Sequence, residues 1–355
     1  MTRSLLFLSL IALAACENPV APVASDVPEI PPPPPSRKIV QASNVIDLGM
    51  PPGAATAHAF DVNDNGDIAG FSVNSGGQTR AFTWKGNFRV LHPLPSYTSS
   101  YAFGLNDNGR AVGISQDVNG RSRATVWNNG NASSLGTLVH DGESIGMAIN
   151  SWGSAAGSAT SASGAMRGFY YSSLTGRMTS VGVLSGGTYT VGQDLNEWGQ
   201  MVGYGDTPNG DRAYLYNWWN GSITDLGTIP NGISSYALSI NNSSQVVGFA
   251  FTAAGEPRAF LWSSGTMLDL GTLGGSQSVA YGINDSGEVV GYSQNASGEF
   301  HAFVWTAESG MVDLGTLKGG MVSYAQQINA DGLTAGIALG ADGREHAVRW
   351  NVVLK

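Results

Sequence analysis

The stretch Ile283-Asn284-Asp285-Ser286-Gly287-Glu288-Val289-Val290-Gly291-Tyr292 contains the pattern that decides the fold. A short apolar run ends at Asn284, a turn follows to Gly287, and a second run rich in β-branched residues begins at Glu288. Asn or Asp suits the first position of a type I turn, and Gly suits the fourth, where a left-handed backbone follows at little cost. The stretch therefore predicts a tight hairpin between two strands.

The same pattern of an apolar residue, Asn, a few polar residues and usually Gly occurs seven times. The copies begin at Val62-Asn63, Leu105-Asn106, Ile149-Asn150, Leu195-Asn196, Ile240-Asn241, Ile283-Asn284 and Ile328-Asn329. They are 43 to 46 residues apart, and a repeat of this length is typical of solenoids, arrays and propellers.

Each copy continues with signals for two more strands. In the sixth copy, residues 301–305 alternate small and large side chains, as a strand does, and residues 311–315 form a fourth β-rich run after a turn. The third-strand positions of the other copies also pair large aromatic rings with a small residue, which favours close packing of neighbouring sheets. We therefore expect each copy to be a four-stranded antiparallel sheet.

The count of fourth strands indicates a closed ring. Six lie inside the chain, at 88–91, 133–136, 179–182, 224–227, 268–271 and 312–315. The seventh copy ends at Lys355 without one, while its missing Asp-Leu-Gly stands at Asp47-Leu48-Gly49, ahead of the first copy. A ring gains from such an arrangement, because the N-terminal strand completes the last sheet and removes both edges. The sequence predicts an all-β, seven-bladed β-propeller over residues 44–355.

The repeat also resembles the HAF-type extracellular repeat of bacterial secreted and surface proteins. The fifth and sixth copies match its pattern best, at 269–275, at 284–291 and at His301-Ala302-Phe303. The third and fourth copies depart from it, with Trp152 and Trp198 in the turn and with Tyr171 and Tyr216 where Trp is usual. The resemblance implies an exported repeat protein, and the family carries no established activity or catalytic residue.

The N-terminus has the features of an export signal. Arg3 precedes an apolar run over residues 5–15, which is too short to cross a bilayer as a helix. The run ends in Leu13-Ala14-Ala15-Cys16, which resembles a bacterial lipobox with a lipidated Cys. The alternative is an ordinary buried thiol. Because Glu17 rather than Asp follows, the resemblance implies sorting to the outer membrane or cell surface.

Residues 16–43 form the expected link between the lipid anchor and the propeller. The segment includes five consecutive prolines, Pro31 to Pro35, and Pro-rich chains favour the extended polyproline form at ~3.1 Å per residue. We interpret it as a spacer. A ligand for a proline-recognition domain is the alternative.

Charge and composition exclude several classes of function. After removal of residues 1–15 the chain has 16 basic and 26 acidic residues, a formal charge of −10. Nucleic-acid binders and binders of anionic membranes need basic patches, and no basic run offsets this balance, so we expect neither. Gly accounts for 49 of 355 residues and charged residues for 12%, as expected for many tight turns and few helices. We also expect a monomer.

The sequence contains no recognisable catalytic or metal-binding motif. Its five histidines are scattered, without zinc-ligand spacing. The segment 61–66 imitates the start of a calcium loop, but Ser72 stands at the twelfth position, where a bidentate Glu is needed. We interpret the segment as a hairpin turn, with weak calcium binding as the alternative. We predict neither cofactor nor metal.

Two sets of residues are candidates for binding. The first is a circle of cations at one height around the ring: Arg80, Arg123, Arg167, Arg212, Arg258, His301 and His346. These could attract an anionic ligand, or each could bind a carboxylate or carbonyl locally. The second set comprises tyrosines expected in loops between blades, where aromatic side chains on a rigid platform suit glycan or protein binding: Tyr97, Tyr101, Tyr189, Tyr236 and Tyr324.

Together these features predict a lipid-anchored propeller that acts as a binding or scaffolding module in the cell envelope. The expected ligand is an extracellular polysaccharide or another envelope protein. One alternative is a hydrolase or lyase acting on polysaccharide at the mouth of the central channel, for which the sequence offers Asp141, Glu143 and Glu197 without a paired partner. Another is a structural spacer without a ligand.

Overall fold

A computed structural model describes residues 40–42 and 44–354. The predicted signal peptide, Cys16 and most of the predicted linker lie outside these residues. The described part of the chain contains 29 strands and no α-helix, and accordingly offers no helix that could span a membrane.

The strands form seven blades of four antiparallel strands each. The first blade contains β3 (Ala54–Val62), β4 (Ile68–Asn74), β5 (Thr79–Trp84) and β6 (Phe88–Leu91), in this spatial order. The second contains β7 (Ser99–Leu105), β8 (Ala111–Gln116), β9 (Ser122–Asn128) and β10 (Asn131–Ser134). The third contains β11 (Ser144–Ile149), β12 (Ala155–Thr160), β13 (Met166–Ser172) and β14 (Arg177–Ser180).

The remaining blades repeat this order. The fourth contains β15 (Thr190–Leu195), β16 (Gln200–Thr207), β17 (Gly210–Asn217) and β18 (Ser222–Asp225). The fifth contains β19 (Ser234–Ile240), β20 (Val246–Phe251), β21 (Pro257–Ser263) and β22 (Thr266–Asp269). The sixth contains β23 (Gly274–Ile283), β24 (Val289–Asn295), β25 (Phe300–Thr306) and β26 (Gly310–Gly315). The seventh contains β27 (Ser323–Ile328), β28 (Leu333–Leu339) and β29 (Glu345–Leu354).

The N-terminal segment completes the seventh blade. The strand β2 (Ile46–Asp47) pairs antiparallel with β29, Ile46 opposite Arg349 and Asp47 opposite Val348. The strand β1 (Val40–Ala42) pairs with the end of β29, Val40 opposite Leu354. The two chain ends therefore meet in one sheet, and the predicted seven-bladed propeller with its N-terminal closure is confirmed.

The first strand of each blade lines the central channel, because these strands contact one another in sequence around the ring: β3, β7, β11, β15, β19, β23 and β27. Chain direction then defines two faces. The turn face carries the turns between first and second strands and between third and fourth strands. The loop face carries the remaining turns and the connections between blades.

Large aromatic side chains of the third strands fill the space between blades, as the sequence predicts. Phe82, Phe169, Tyr214, Phe260 and Phe303 are fully buried. At six junctions a buried hydroxyl of the following blade accepts from the backbone of the third strand: Ser100, Ser144, Thr190, Ser235, Ser278 and Ser323. Packing and hydrogen bonds thus couple each blade to the next.

Four of the fourth strands begin and end about two residues earlier than the sequence predicts. The predicted strand 133–136 is β10 (Asn131–Ser134), and the predicted strand 179–182 is β14 (Arg177–Ser180). The cause is the Gly that ends each predicted fourth strand, since Gly136 and Gly182 have φ of 89° and 85°. This left-handed conformation ends strand pairing and starts the connection to the next blade.

Candidate functional site

A closed ring of seven hydrogen bonds surrounds the channel near the turn face. The asparagine of each repeat donates its side-chain Nδ2 to the backbone carbonyl of the corresponding asparagine in the next blade. The bonds run from Asn63 to Asn106 to Asn150 to Asn196 to Asn241 to Asn284 to Asn329 and back to Asn63, at 2.8 to 3.3 Å. We call this set the asparagine ring. All seven asparagines are buried.

The same side chains also stabilise their own turns. Asn284 Oδ1, for example, accepts from the backbone N–H of Ser286 at 3.1 Å and of Glu288 at 3.0 Å. The sequence predicts that the asparagine stabilises its own turn. It does not predict the hydrogen bond to the next blade, because the repeat pattern does not show which carbonyl the side-chain amide reaches. One residue therefore fixes both the hairpin and the ring.

A β-bulge shapes the channel wall in every blade. In the second blade the register of β7 and β8 shifts between Ala102 and Gly104. Opposite this irregularity lies Gly113, where a Cβ would overlap the backbone carbonyl oxygen of Tyr101. The same overlap occurs at Gly70, Gly157, Gly203, Gly248, Gly291 and Gly336. The Gly in the second strand of each blade is therefore required by close backbone approach rather than by a turn.

The channel opens at the turn face into a funnel of about 180 Å³ that all seven blades line. Six carboxylates belong to this lining: Asp61, Asp64, Asp107, Asp194, Glu197 and Asp285. The described lining residues include no Lys, Arg or His. Four of the carboxylates accept from backbone N–H groups at the turns of the preceding blade, as Asp285 does from Asn242 at 2.8 Å. The funnel is a rigid, acidic concavity.

Asp61 lies deeper in the funnel and has a raised pKa. Its Oδ2 accepts from Leu105 N of the next blade at 2.6 Å, and its Oδ1 accepts from Val62 N at 2.8 Å. Burial raises the pKa of Asp61 to about 7, and the charges of Asp194 and Asp107 add to the increase, whereas the two backbone hydrogen bonds oppose it. A substantial fraction of this carboxyl is protonated near neutral pH.

Asp194 occupies the corresponding position in the fourth blade. Its Oδ2 accepts from Ser239 Oγ at 2.8 Å and from Ile240 N at 3.0 Å, both in the next blade. Burial raises the pKa of Asp194, while these hydrogen bonds and one from Leu195 N oppose the increase. From the sequence, Asp61 is recognised only as the start of the calcium-like segment, and Asp194 is not recognised at all. A signal was present, because the other repeats have Gly, Ala, Ser or Gln at this position, in Gly104, Ala148, Ser239, Gly282 and Gln327.

The carboxylates named for an enzyme are not brought together. Glu197 lies in the funnel, whereas Asp141 and Glu143 belong to the connection between the second and third blades, on the loop face. Within residues 44–353, no group of three or more His, Cys, Asp or Glu side chains is arranged to hold a metal ion. The calcium-like segment is a hairpin in which Asn63 and Asn65 donate to backbone carbonyls of the next blade.

The seven cationic side chains do lie at one level, because each pairs with the same register position of the second strand, from Arg80 opposite Ser72 to His346 opposite Ala338. Their head groups are engaged within the protein. Arg80, Arg167 and Arg212 donate to backbone carbonyls in the connection to the next blade. Arg123 Nε lies 3.4 Å from the Tyr97 hydroxyl. Arg258, His301 and His346 contact Asp269, Asp313 and Asp47. Each cation thus binds a carboxylate, a carbonyl or a hydroxyl nearby, which is the alternative to a circle of cations that attracts an anionic ligand.

Three of the candidate tyrosines lie in innermost strands instead of loops: Tyr101 in β7, Tyr236 in β19 and Tyr324 in β27. They share one register position and are half-buried in the channel wall toward the loop face. The Tyr236 hydroxyl donates to Asp211 Oδ2 at 2.8 Å, and burial raises the pKa of Tyr236 and of Tyr324. The loop placement was wrong because the strands begin before the tyrosines, whereas Tyr97 and Tyr189 do precede their strands.

A cluster of exposed apolar side chains lies beside the funnel. It consists of Trp152, Leu174, Trp198, Trp218 and Trp219, which we call the tryptophan cluster. All five belong to turns of the turn face in the adjacent third and fourth blades, and Trp152 and Trp198 are 73% and 64% exposed. In the sequence, Trp152 and Trp198 stand out only as departures from the repeat.

No family model matches the chain, and no curated protein matches it. Among solved structures, a puromycin-hydrolyzing peptidase from Mycobacterium tuberculosis has a TM-score of 0.60 at 12% identity, covering 84% of this chain and 51% of that chain. The β-propeller domain of the Trilobed protease from Pyrococcus furiosus has a TM-score of 0.51 at 8% identity, covering 85% and 96%. TolB from Acinetobacter baumannii has a TM-score of 0.49 at 12% identity, covering 69% and 62%.

The chain thus spans about half of the peptidase and less than two thirds of TolB. At these identities the likeness to the two proteins with TM-scores above 0.5 shows the propeller fold alone. The Pyrococcus furiosus propeller is described as having an open velcro topology, whereas β2 closes the ring here.

Proposed function

We propose that the protein is an exported, lipid-anchored propeller that acts as a binding or scaffolding module in the cell envelope. Cys16 at the end of the apolar leader supports the anchor, and the run Pro31 to Pro35 supports a spacer between anchor and ring. The ligand is an extracellular polysaccharide or another envelope protein, held at the funnel.

The funnel is the observation that carries this proposal. It is open to solvent, and residues from all seven blades line it. The asparagine ring holds the lining turns at fixed spacing, so little conformational entropy is lost when a ligand binds. Rigid scaffolds that present polar groups at a concave surface are common binding sites.

The lining also limits the ligand's chemistry. Six carboxylates without a basic lining residue favour ligands that donate hydrogen bonds or carry positive charge, such as sugar hydroxyls, amino sugars or the Lys and Arg side chains of a protein. They disfavour phosphate-rich and strongly acidic ligands.

Binding of the purified full chain to a panel of glycans and envelope proteins tests the proposal. The variant Asp64→Asn/Asp107→Asn/Asp285→Asn removes three charges but keeps the Oδ1 acceptors, and should weaken binding of any ligand held at the funnel. Asp117→Asn is the matched control, since Asp117 Oδ1 caps a turn on the loop face. Binding that is equal in all three proteins contradicts the funnel as the site, and absence of binding to every ligand favours the structural spacer.

The anchor requires a separate measurement. Membrane fractionation of cells that produce the full chain or Cys16→Ser should place the first protein in the envelope membranes and release the second. Mass spectrometry of the mature N-terminus should detect acyl chains on Cys16. Membrane association that survives Cys16→Ser contradicts the anchor.

Asp61 and Asp194 favour hydrolysis as the second candidate function. Both carboxylates lie in the funnel, and both have raised pKa values. Glycoside hydrolysis uses two carboxyl groups, one as general acid and the other as nucleophile or general base, and a raised pKa suits the acid. Release of reducing ends from any polysaccharide of the panel, abolished in both Asp61→Asn and Asp194→Asn, would establish catalysis and overturn a purely binding role.

A further inference from the structure

We infer that the tryptophan cluster binds an uncharged polysaccharide by stacking on its sugar rings. This inference rests on the proposed binding function and adds a second site, with its own ligand chemistry, to the funnel. The cluster extends across two neighbouring blades. Trp152 and Leu174 lie in the two turns of the third blade, and Trp198, Trp218 and Trp219 lie in the two turns of the fourth.

The fold does not require tryptophan at these positions. The residue two after the ring asparagine is Trp152 or Trp198 in these two blades, and it is polar in the other five, where it is Asn65, Asn108, Ser243, Ser286 or Asp331. Those five blades form the same hairpin. Trp152 and Trp198 are therefore unexplained by folding, and together with the exposed Trp218 and Trp219 on the same face they indicate an interaction surface.

Two of the four indole rings are held in place before any ligand binds. Trp198 Nε1 donates to the backbone carbonyl of Asn242 in the next blade at 3.0 Å, while the side chain stays 64% exposed. Trp218 stacks on Tyr170, with ring centroids 5.3 Å apart and planes 6° apart, and it crosses close over Gly199, where a Cβ would overlap the indole. Fixed, flat rings lose little entropy on binding.

This geometry favours stacking over insertion into a lipid bilayer. The polar N–H of Trp198 is used within the protein, so the ring presents an apolar surface to a ligand. The negative face of an aromatic ring attracts the C–H groups on the flat side of a sugar. Neighbouring Ser151 and Asn220 can exchange hydrogen bonds with sugar hydroxyls, whereas the amide of Asn242 already accepts from Glu197 N and donates to Asp285.

The charges near the cluster favour an uncharged ligand. The Arg110 guanidinium lies next to Gly153, and Arg177 follows the turn that carries Leu174. Glu197, which accepts from Ser151 N at 2.9 Å, and the acidic funnel provide the opposite sign. A polymer with a large net charge of either sign therefore gains little here.

Affinity electrophoresis of the purified full chain tests the inference. Native gels containing soluble neutral polysaccharides (a β-glucan, a glucomannan, dextran and amylose) are compared with gels containing alginate. We expect at least one neutral polymer to retard the protein, and Trp152→Ala, Trp198→Ala and Trp219→Ala each to raise its Kd about tenfold, which corresponds to about 1.4 kcal/mol. Trp198→Phe, which keeps a ring, should retain most of the affinity.

Met321→Ala is the matched control, because Met321 is 60% exposed on the loop face, and it should leave retardation unchanged. Thermal unfolding checks that every variant is folded. No retardation by any neutral polymer, or retardation that the tryptophan variants leave intact, overturns the inference. The inference is also overturned if the parent protein binds an envelope protein or phosphatidylcholine vesicles but no glycan, and the tryptophan variants lose that binding.

These outcomes are separable from those of the proposed function. The funnel variant Asp64→Asn/Asp107→Asn/Asp285→Asn retains all four tryptophans, so neutral-polymer binding should survive in it. Suppose that another ligand binds at the funnel and that the tryptophan variants bind every polymer as the parent does. The proposed function would then stand, and this inference alone would be rejected.

Discussion

The side-chain amide of Asn329 donates to the backbone carbonyl of Asn63 at 3.0 Å, across 266 positions of sequence. This bond joins the last blade to the first and completes the asparagine ring. The same junction lacks the buried hydroxyl found at the other six. Ala57 of the first blade occupies the position that Ser100 has in the second blade. Ring closure therefore depends more on Asn329 and on the N-terminal strands than on side-chain hydroxyls.

Replacing Asn329 with Ala should lower the free energy of unfolding by about 2–3 kcal/mol, since it removes the bond between blades and takes the side-chain acceptor from the N–H of Leu333. The carbonyl of Asn63 keeps its hydrogen bond from Gly66 N. Urea titration followed by tryptophan fluorescence measures the change. Asn119→Ala, in a turn of the loop face, should change stability by less than about 0.5 kcal/mol. Equal effects of the two substitutions would show that the ring bond contributes nothing.

Removing residues 1–49 should destabilise the propeller by several kcal/mol, because the outer edge of β29 loses both β1 and β2 and the junction between the last and first blades opens. Removing residues 1–39 is the control, since it keeps both strands and should leave the melting temperature unchanged. Identical melting temperatures for the two truncated proteins would contradict closure by the N-terminal segment.

Replacing Gly113 with Ala should cost about 2–3 kcal/mol, although the residue lies in a strand and has ordinary backbone angles. The added Cβ would overlap the carbonyl oxygen of Tyr101, so the bulged strand β7 must shift. Gly76→Ala, in an exposed turn, should change stability by less than about 0.5 kcal/mol. Chemical denaturation of both variants checks this, and a neutral Gly113→Ala would mean that the bulge can relax freely.

The stability of the protein should fall as pH rises from about 4 to about 7, through the titration of Asp61. Its folded-state pKa, about 7, lies above the unfolded value of 3.8, so the folded state binds more protons in this interval and loses relative stability as they dissociate. The loss is at most about 4 kcal/mol, since one pKa unit equals about 1.4 kcal/mol.

The variant Asp61→Asn should remove the part of this pH dependence that Asp61 contributes, because an amide does not titrate. Its absolute stability is not the readout, since the amide accepts from only one of the two backbone N–H groups that Asp61 pairs with. Urea unfolding at pH 4, 5.5, 7 and 8 provides the comparison. Asp117→Asn, a substitution with the same charge change on the loop face, should follow the parent. If the free energy of unfolding of Asp61→Asn varies with pH as that of the parent does, Asp61 is ionised throughout this range. Asp194 would then be the remaining buried carboxyl of the funnel that could titrate.

The sequence was sufficient to predict the architecture because the repeats encode it locally. Each Asn-x-x-Gly turn and each aromatic third strand recurs in register, and the Asp-Leu-Gly at residues 47–49 identified the closing strand. Strand ends were less accurate, because the left-handed Gly136 and its equivalents belong to the connections rather than to the strands.

The funnel and the tryptophan cluster could not be found by looking for what the repeats share. Asp61 and Asp194 replace small or uncharged residues of other blades, and Trp152 and Trp198 replace polar ones. Their signal was departure from the repeat, and its meaning depends on which blades are adjacent and which turns share a face. Periodicity specifies neither until the ring is closed.

The strand that closes the ring is also the segment through which the chain before Val40 is attached. Because β1 and β2 run antiparallel along β29, a pull on the N-terminus toward the turn face acts along the strand axis and loads the backbone hydrogen bonds together in shear. In a tethered propeller, mechanical tension would thus act on the junction that lacks the buried hydroxyl, in the direction in which paired strands resist separation best. Rupture there would open the circle.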